Sequence, residues 1–373
     1  MKSQATLTRR EFLRTTGTAA GLATAALSAR AAVPRDRVLV VLQLSGGNDG
    51  LNTVVPFRDA AYYRARPVIA VRPRHVLTLG GAGTDGLGFH PSLRPLMGLW
   101  ESGHMAVING AGVPNADRSH YRALEMWQTA LEGGEAGSSG WIGRGFGGGA
   151  PVLGVSVGLE APQALNGRGM AGIHLHEGCG ACQTEGDAGE MARAALEKSR
   201  ALLRRAGPGG AAYPATRFAA GLRRIATLMD GGLGARVYHH DITGFDTHAN
   251  QPLTHARLWT EVSEGLRAFF GDLEARGLAD RVMVMSVSEF GRRVAENGCC
   301  GTDHGAASAM FVWGRPVRGG VYGAQPDLGD LDFGDLRVTT DFRRVYATML
   351  DGWLGADSLA ALGREYAKLS FVA

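Results

Sequence analysis

The sequence predicts a single α/β domain built on a mostly parallel central sheet with helices on both faces, and three observations predict it. Short, almost uninterrupted apolar runs alternate with stretches of helical period along most of the chain, the pattern of strands buried on both faces and covered by helices. With 373 residues, 45% hydrophobic and 20% charged, the chain is long and apolar enough to bury a sizeable core. Its 56 glycines, about twice the usual share, gather in segments between those runs and follow no fixed repeat.

The first 31 residues stand apart from this pattern. Thr8-Arg9-Arg10-Glu11-Phe12-Leu13-Arg14 resembles a twin-arginine export motif, a weakly apolar stretch runs from Thr15 to Ala29, and Ala29-Arg30-Ala31 offers a small-x-small cleavage site. This order predicts a signal over residues 1–31 and one domain over residues 32–373, carried by the twin-arginine translocase to a periplasmic or secreted location. The charge agrees. Of 39 basic and 35 acidic residues, five basic and one acidic lie in the first 31, so the remainder carries 34 of each. A nucleic-acid partner is therefore not indicated, and with no later run of 18 apolar residues the mature chain has no expected membrane span.

Taken in order, the expected strands are Val38 to Leu44, Met105 to Asn109, Val152 to Val157, Arg236 to Asp241, Val282 to Val287 and Ala309 to Trp313. Phe218, Leu222, Ile225 and Met229 mark one helix face; Leu258, Val262, Leu266, Phe269 and Leu273 mark another; and Leu124, Trp127 and Leu131 mark a third after Ser119. Three segments break the alternation and read as loops: Gly80 to Gly88, Glu132 to Gly149 with nine glycines in eighteen residues, and Glu177 to Glu190. In an oxidising compartment Cys179, Cys182, Cys299 and Cys300 are expected in disulfides. A zinc knuckle with His174 and His176, or a redox site at Cys179-Gly-Ala-Cys182, is the alternative for the first pair.

Ligands in an open α/β sheet gather beyond the carboxyl ends of its strands, and five polar clusters fall there. Ser45-Gly46-Gly47-Asn48-Asp49-Gly50-Leu51-Asn52 reads equally as a sharp turn aiming Asp49 at a site or as an Asx-turn. At Arg118-Ser119-His120-Tyr121-Arg122, Ser119 is either a helix N-cap or a hydroxyl set where helix amides favour an anion, with Arg118 and Arg122 as further anion donors. Phe245-Asp246-Thr247-His248 brings a carboxylate and an imidazole within reach of one divalent cation. Ser288-Glu289-Phe290-Gly291-Arg292 and Gly301-Thr302-Asp303-His304-Gly305 complete the set.

Those five motifs, in that order, resemble the exported bacterial proteins called domain-of-unknown-function family 1501, themselves similar to the alkaline phosphatase and sulfatase superfamily. The resemblance implies an alkaline-phosphatase-like sandwich with divalent metal, zinc by preference and one ion rather than two, beside a hydroxyl nucleophile. It places Asp49, Asp246, His248, Glu289, Asp303 and His304 among the metal ligands, Ser119 as nucleophile, and Phe290 where many members carry a ligand. Arg118 and Arg122 would hold the anion, and His120 would either protonate the leaving group or cap the helix. The implied activity is hydrolysis or transfer of a phosphate or sulfate ester, small or polymer-borne. The alternative is a non-catalytic binding protein on the same fold.

Overall fold

The computed structural model describes residues 33–34, 36–114, 117–131, 139–176, 179–182, 186–206, 211–325 and 327–373. The expected export segment, residues 1–31, lies outside them. The chain divides into residues 1–34 and 35–373, and every element named below belongs to the second unit.

Ten strands form the main sheet: β1 (Val38–Ser45), β2 (Met105–Gly112), β3 (Val152–Val157), β4 (Met170–His176), β5 (Cys179–Cys182), β6 (Val237–Thr243), β7 (Val282–Val287), β8 (Ser308–Trp313), β9 (Gly320–Tyr322) and β10 (Thr340–Asp341). Their order is β9-β2-β8-β7-β1-β6-β3-β4-β5, with β10 also on β2. Only β8 and β5 run antiparallel to their neighbours; β1 sits centrally between β7 and β6, parallel to both. The four principal helices are α1 (His120–Thr129), α2 (Gly186–Arg205), α3 (Arg217–Asp230) and α4 (Gln251–Ala275).

The pleat of β1 explains why it is apolar on both faces from Val38 to Leu42. Val40, Leu42 and Leu44 join one core with Phe218, Leu222, Leu258, Val262 and Phe269 of α3 and α4. Leu39 and Val41 face a second core with Trp127, Tyr346, Leu350 and Trp353. Alternate side chains of a strand point to opposite faces, so a strand covered on both is apolar on both; Gln43, near its end, is buried with its amide bonded to Ser45 and Gln128. All six expected strands and all three helix faces are present, and the α/β class holds. Leu131 falls just outside α1, which ends where Ala130 turns left-handed.

Two of the three expected loops need correction. The Glu177 to Glu190 stretch contains β5 and the start of α2, and Trp141–Gly145 within the Gly-rich segment is a short helix with both its first residues buried against the second core. Tertiary packing overrides local composition in both places. The expected disulfide reading is corrected at one pair: Cys299 and Cys300 are free thiols. The side chains of Cys179 and Cys182 lie outside the described residues.

Candidate metal centre

Register brings the site together. Ser45 lies opposite Thr243 and Gln43 opposite Val287, so β1, β6 and β7 end side by side. The loops carrying Asp49, Asp246 and Glu289 therefore leave from one edge. Because β8 is antiparallel, the segment leading into it delivers His304 to that same edge. The β1 turn passes close beneath its neighbours at Gly46 and Gly47, with φ of 118° and 84°. A Cβ at Gly46 would lie 2.2 Å from the Asp246 nitrogen and one at Gly47 2.4 Å from the Phe290 ring, so no larger residue fits either position.

Asp246, His248 and His304 meet at one point. His248 Nε2 and His304 Nε2 lie 3.0 Å apart, and each is 3.1 Å from Asp246 Oδ1. The tautomers follow from the other ring nitrogens. His304 Nδ1 is 2.8 Å from the Arg118 carbonyl oxygen, which only accepts, so this nitrogen carries the proton. His248 Nδ1 donates in the same way to Asp303 Oδ1 at 3.1 Å. Two imidazole lone pairs thus converge on a carboxylate oxygen whose hydrogen-bond donor is Arg292, not either histidine. Lone pairs so placed repel unless a cation or additional protons lie among them. A histidine whose second nitrogen donates to a carboxylate or carbonyl is also the arrangement that fixes a metal ligand. The donor set fits a divalent ion.

His120 flanks this group. Its Nδ1 lies 3.0 Å from Glu289 Oε1 and its Nε2 3.4 Å from Asp246 Oδ2, and His120, Asp246 and His304 offer ligand atoms within 4.8 Å of one another. Phe290 is buried against both imidazoles, its ring centroid 4.9 Å from His120 and 4.3 Å from His304. It gives the cluster an apolar floor.

Other expected residues stand elsewhere. Asp49 is not at this convergence: fully buried, it pairs with Arg66 at 2.7 Å and accepts from the Asn52 amide at 3.2 Å and from Gln251, so both its oxygens are engaged by protein donors. Glu289 and Asp303 reach the cluster through His120 and His248, and Glu289 Oε1 also accepts from the Gly46 amide at 2.6 Å. Ser119 occupies the N-cap position of α1, but its side chain makes no capping bond; the residue is exposed, next in sequence to Arg118, whose carbonyl His304 holds, and to His120. The Arg118 side chain pairs with Asp335, and Arg122 with Glu125 at 3.3 Å on the exposed face of α1.

Sequence reasoning missed Arg292. Wholly buried, it donates to the carbonyls of Gly47 at 2.8 Å, Thr302 at 2.8 Å and Phe245 at 3.0 Å, to Gly46, and to Asp246 Oδ1 at 2.7 Å. It ties three site loops together. Burial tends to raise the Asp246 carboxyl, but the hydrogen bond and charge of Arg292 outweigh it and hold the group at about 2. Its only sequence signal was its place in Ser-Glu-Phe-Gly-Arg, since a buried arginine bonding to carbonyls leaves no partner pattern to read.

Comparison with known proteins gives two findings. Residues 183–357 match the family described as "Protein of unknown function (DUF1501)", so the resemblance drawn from the motifs holds, with Asp246, His248, Glu289, Asp303 and His304 inside the matched stretch. Solved structures similar to this chain include a lipoteichoic acid synthase from Listeria monocytogenes (10% identity, TM-score 0.40, 82% of this chain and 75% of that one). Others are an alkaline phosphatase superfamily protein from Vibrio parahaemolyticus (10%, 0.43, 91% and 72%) and a phosphonate monoester hydrolase from Silicibacter pomeroyi (11%, 0.38, 90% and 78%). No curated protein matches. Among the described residues, no helix is long and apolar enough to cross a membrane.

Proposed function

We propose that this protein is an exported, metal-dependent hydrolase or transferase of phosphate or sulfate esters, holding one divalent ion, zinc by its donor set, on Asp246, His248 and His304. The observation that carries the reading is the convergence of three lone-pair donors within 3.1 Å, two of them on imidazoles whose other nitrogens are already committed. A histidine and carboxylate set with room for a further ligand is the usual form of a catalytic zinc site. When bound, the ion supplies Lewis-acid polarisation of the ester oxygen and favours the ionised form of a hydroxyl beside it.

The chain's own residues do the rest. Ser119 presents its hydroxyl at the start of α1, where unpaired helix amides favour an anion. His120, held at Nδ1 by Glu289, takes the Ser119 proton at Nε2 as the serine oxygen bonds to phosphorus or sulfur, and returns it to the leaving oxygen as the ester bond breaks. Water or a second alcohol then releases the seryl ester. Arg292 keeps Asp246 ionised and in place, and Phe290 keeps bulk water from one side of both imidazoles. The Arg9-Arg10 segment supports export, and replacing that pair with Lys-Lys is expected to abolish it.

The test is metal analysis of the purified protein with turnover of aryl phosphates, phosphodiesters and sulfates. Ser119→Ala should lose turnover and keep its metal, while His304→Ala should lose the metal. A wild type that retains no metal, with Ser119→Ala behaving identically in every assay, leaves the binding-protein reading, which Phe290 at a ligand position favours.

A further inference from the structure

Beside the metal centre lies a second charged group that the chemistry above does not use. Asp335 is buried, at 1% side-chain exposure, yet two arginines reach it from outside: Arg118 Nη2 pairs with Oδ2, and Arg293 Nε lies 3.6 Å from Oδ1. The two guanidiniums remain 43% and 38% exposed. Both arginines grow from backbone that is bonded to the centre itself. The Arg118 carbonyl accepts from His304 Nδ1, and the Arg293 amide donates to the Asp303 carbonyl. Two guanidiniums are thereby gathered on one buried carboxylate, at the margin of a site proposed to act on anions, with Asp303 and Asp332 the further acids that act on this group.

The hairpin that carries Asp335 adds a second observation. Leu331–Asp332 pairs with Asp335–Leu336, so Phe333 and Gly334 form the two-residue turn, with φ of 49° and 88°. Such turns favour Asn, Asp or Gly at the first position, and a bulky residue there is strained. Here it is a phenylalanine, 90% exposed, whose carbonyl accepts from Arg293 Nη2 at 3.3 Å. An exposed aromatic ring in a strained turn serves neither folding nor solubility, and strain of this kind gathers at ligand sites.

Resting on the ester-hydrolase reading, we infer that Arg118 and Arg293, positioned by Asp335, form a subsite for a second anionic group on the substrate, with Phe333 as a platform for the ring that bears it. The substrate class is thus a multiply anionic ester. Arg118 meets Asp335 through Nη2, and Arg293 spends Nε on Asp335 and Nη2 on the Phe333 carbonyl; both guanidiniums stay partly exposed and keep further N–H donors for a sulfate or phosphate oxygen. Asp335 binds no substrate; its buried charge keeps the two guanidiniums beside one another.

The test uses the full mature chain with its zinc and two probes that bind metal poorly, benzenesulfonate and benzene-1,3-disulfonate, followed by calorimetry at fixed ionic strength. The disulfonate should bind the wild type at least tenfold more tightly. Arg293→Ala should weaken both probes, the disulfonate by much more, so that most of that advantage is lost while zinc content stays unchanged, and Phe333→Ala should weaken both probes. Arg58→Ala, which removes the same charge from an exposed pair with Asp85, should leave the ratio intact. Equal affinity of the two probes for the wild type, or an advantage that survives Arg293→Ala, overturns the subsite. Loss of zinc from the wild type overturns the hydrolase reading instead, so the two failures are distinguishable.

Discussion

Two carboxylates a short way apart at the end of the sheet meet opposite fates. Asp49 and Asp246 both follow a central strand, and both lie near arginine, glutamine or histidine side chains. Around Asp49 every neighbour is a donor: Arg66 Nη1, the Gln251 amide and the Asn52 backbone N–H all point at its oxygens. Burial pulls its pKa upward, but Arg66 and these bonds bring it below the usual value. Around Asp246 Arg292 still donates to Oδ1, but the two nearest histidines present lone pairs. A carboxylate met by donors alone is a strut, whereas one that also faces two lone pairs has a place for a cation. What separates scaffold from site is the direction of the hydrogen bonds, not the residue types.

The buried region should respond most strongly to acid. His255, whose Nε2 lies 3.2 Å from Thr53 Oγ1 beside Asp49, is held down to about 4, chiefly by burial. Burial likewise holds His90 and His239 at about 3. These folded values lie below the unfolded value near 6.5, so the native protein keeps the rings neutral while the unfolded chain takes up protons. Stability is therefore complete above about pH 6.5 and is lost as the pH falls towards 4. The slope reaches at most about 4 kcal/mol per pH unit if all three contribute, at about 1.4 kcal/mol per proton. Urea unfolding at a series of pH values checks this, and His255→Gln should remove about a third of the slope. A slope indifferent to that substitution would place the acid sensitivity elsewhere.

Next in size is the pair itself. Arg66→Ala should cost about 3–5 kcal/mol, because it leaves the Asp49 charge buried without its partner, and it also removes donors to the Val294 and Arg293 carbonyls. Zinc stoichiometry of the folded fraction should not change. The comparison breaks if Arg66→Ala or Asp49→Asn strips zinc from a protein whose unfolding midpoint has barely moved.

Strands and helix faces were legible in the sequence because period and apolarity are local properties: Val38 to Leu44 reads as doubly covered whatever lies on either side. The site was legible as a set of strand ends, and Asp246, His248 and His304 do meet. Role within the set was not. Asp49 and Asp246 look alike in sequence, and only the fold reveals that Arg66, seventeen residues on, turns back to close off the first. Arg292 and Asp335 act through carbonyl groups and through a hairpin far along the chain, contacts with no spacing to betray them. Glu289 and Asp303 were visible as acids, but whether an acid touches the metal or the histidine that touches it depends on a few ångströms of loop geometry.

Asp303 offers the finest test of that last distinction. It is 58% exposed on its side chain, and hydrogen bonds from Asn297 and His248 hold its pKa below the usual carboxylate value. Its Oδ1 receives both Asn297 Nδ2 at 3.2 Å and His248 Nδ1 at 3.1 Å, so it fixes the ring and makes Nε2 a better donor without facing the cation. Groups in that position typically contribute about 10–100-fold in metal affinity. Asp303→Asn should therefore weaken zinc by roughly the lower end of that range, since the amide oxygen still accepts from Nδ1 but carries no charge, and Asp303→Ala by roughly the upper end. Neither should shift stability by more than about 1 kcal/mol, as expected of an exposed pair. Competition with a zinc chelator, read beside denaturant unfolding, separates the alternatives: if Asp303→Ala loses zinc as completely as His304→Ala, the carboxylate is itself a ligand, and the line drawn between groups that hold the metal and groups that hold its histidines must move.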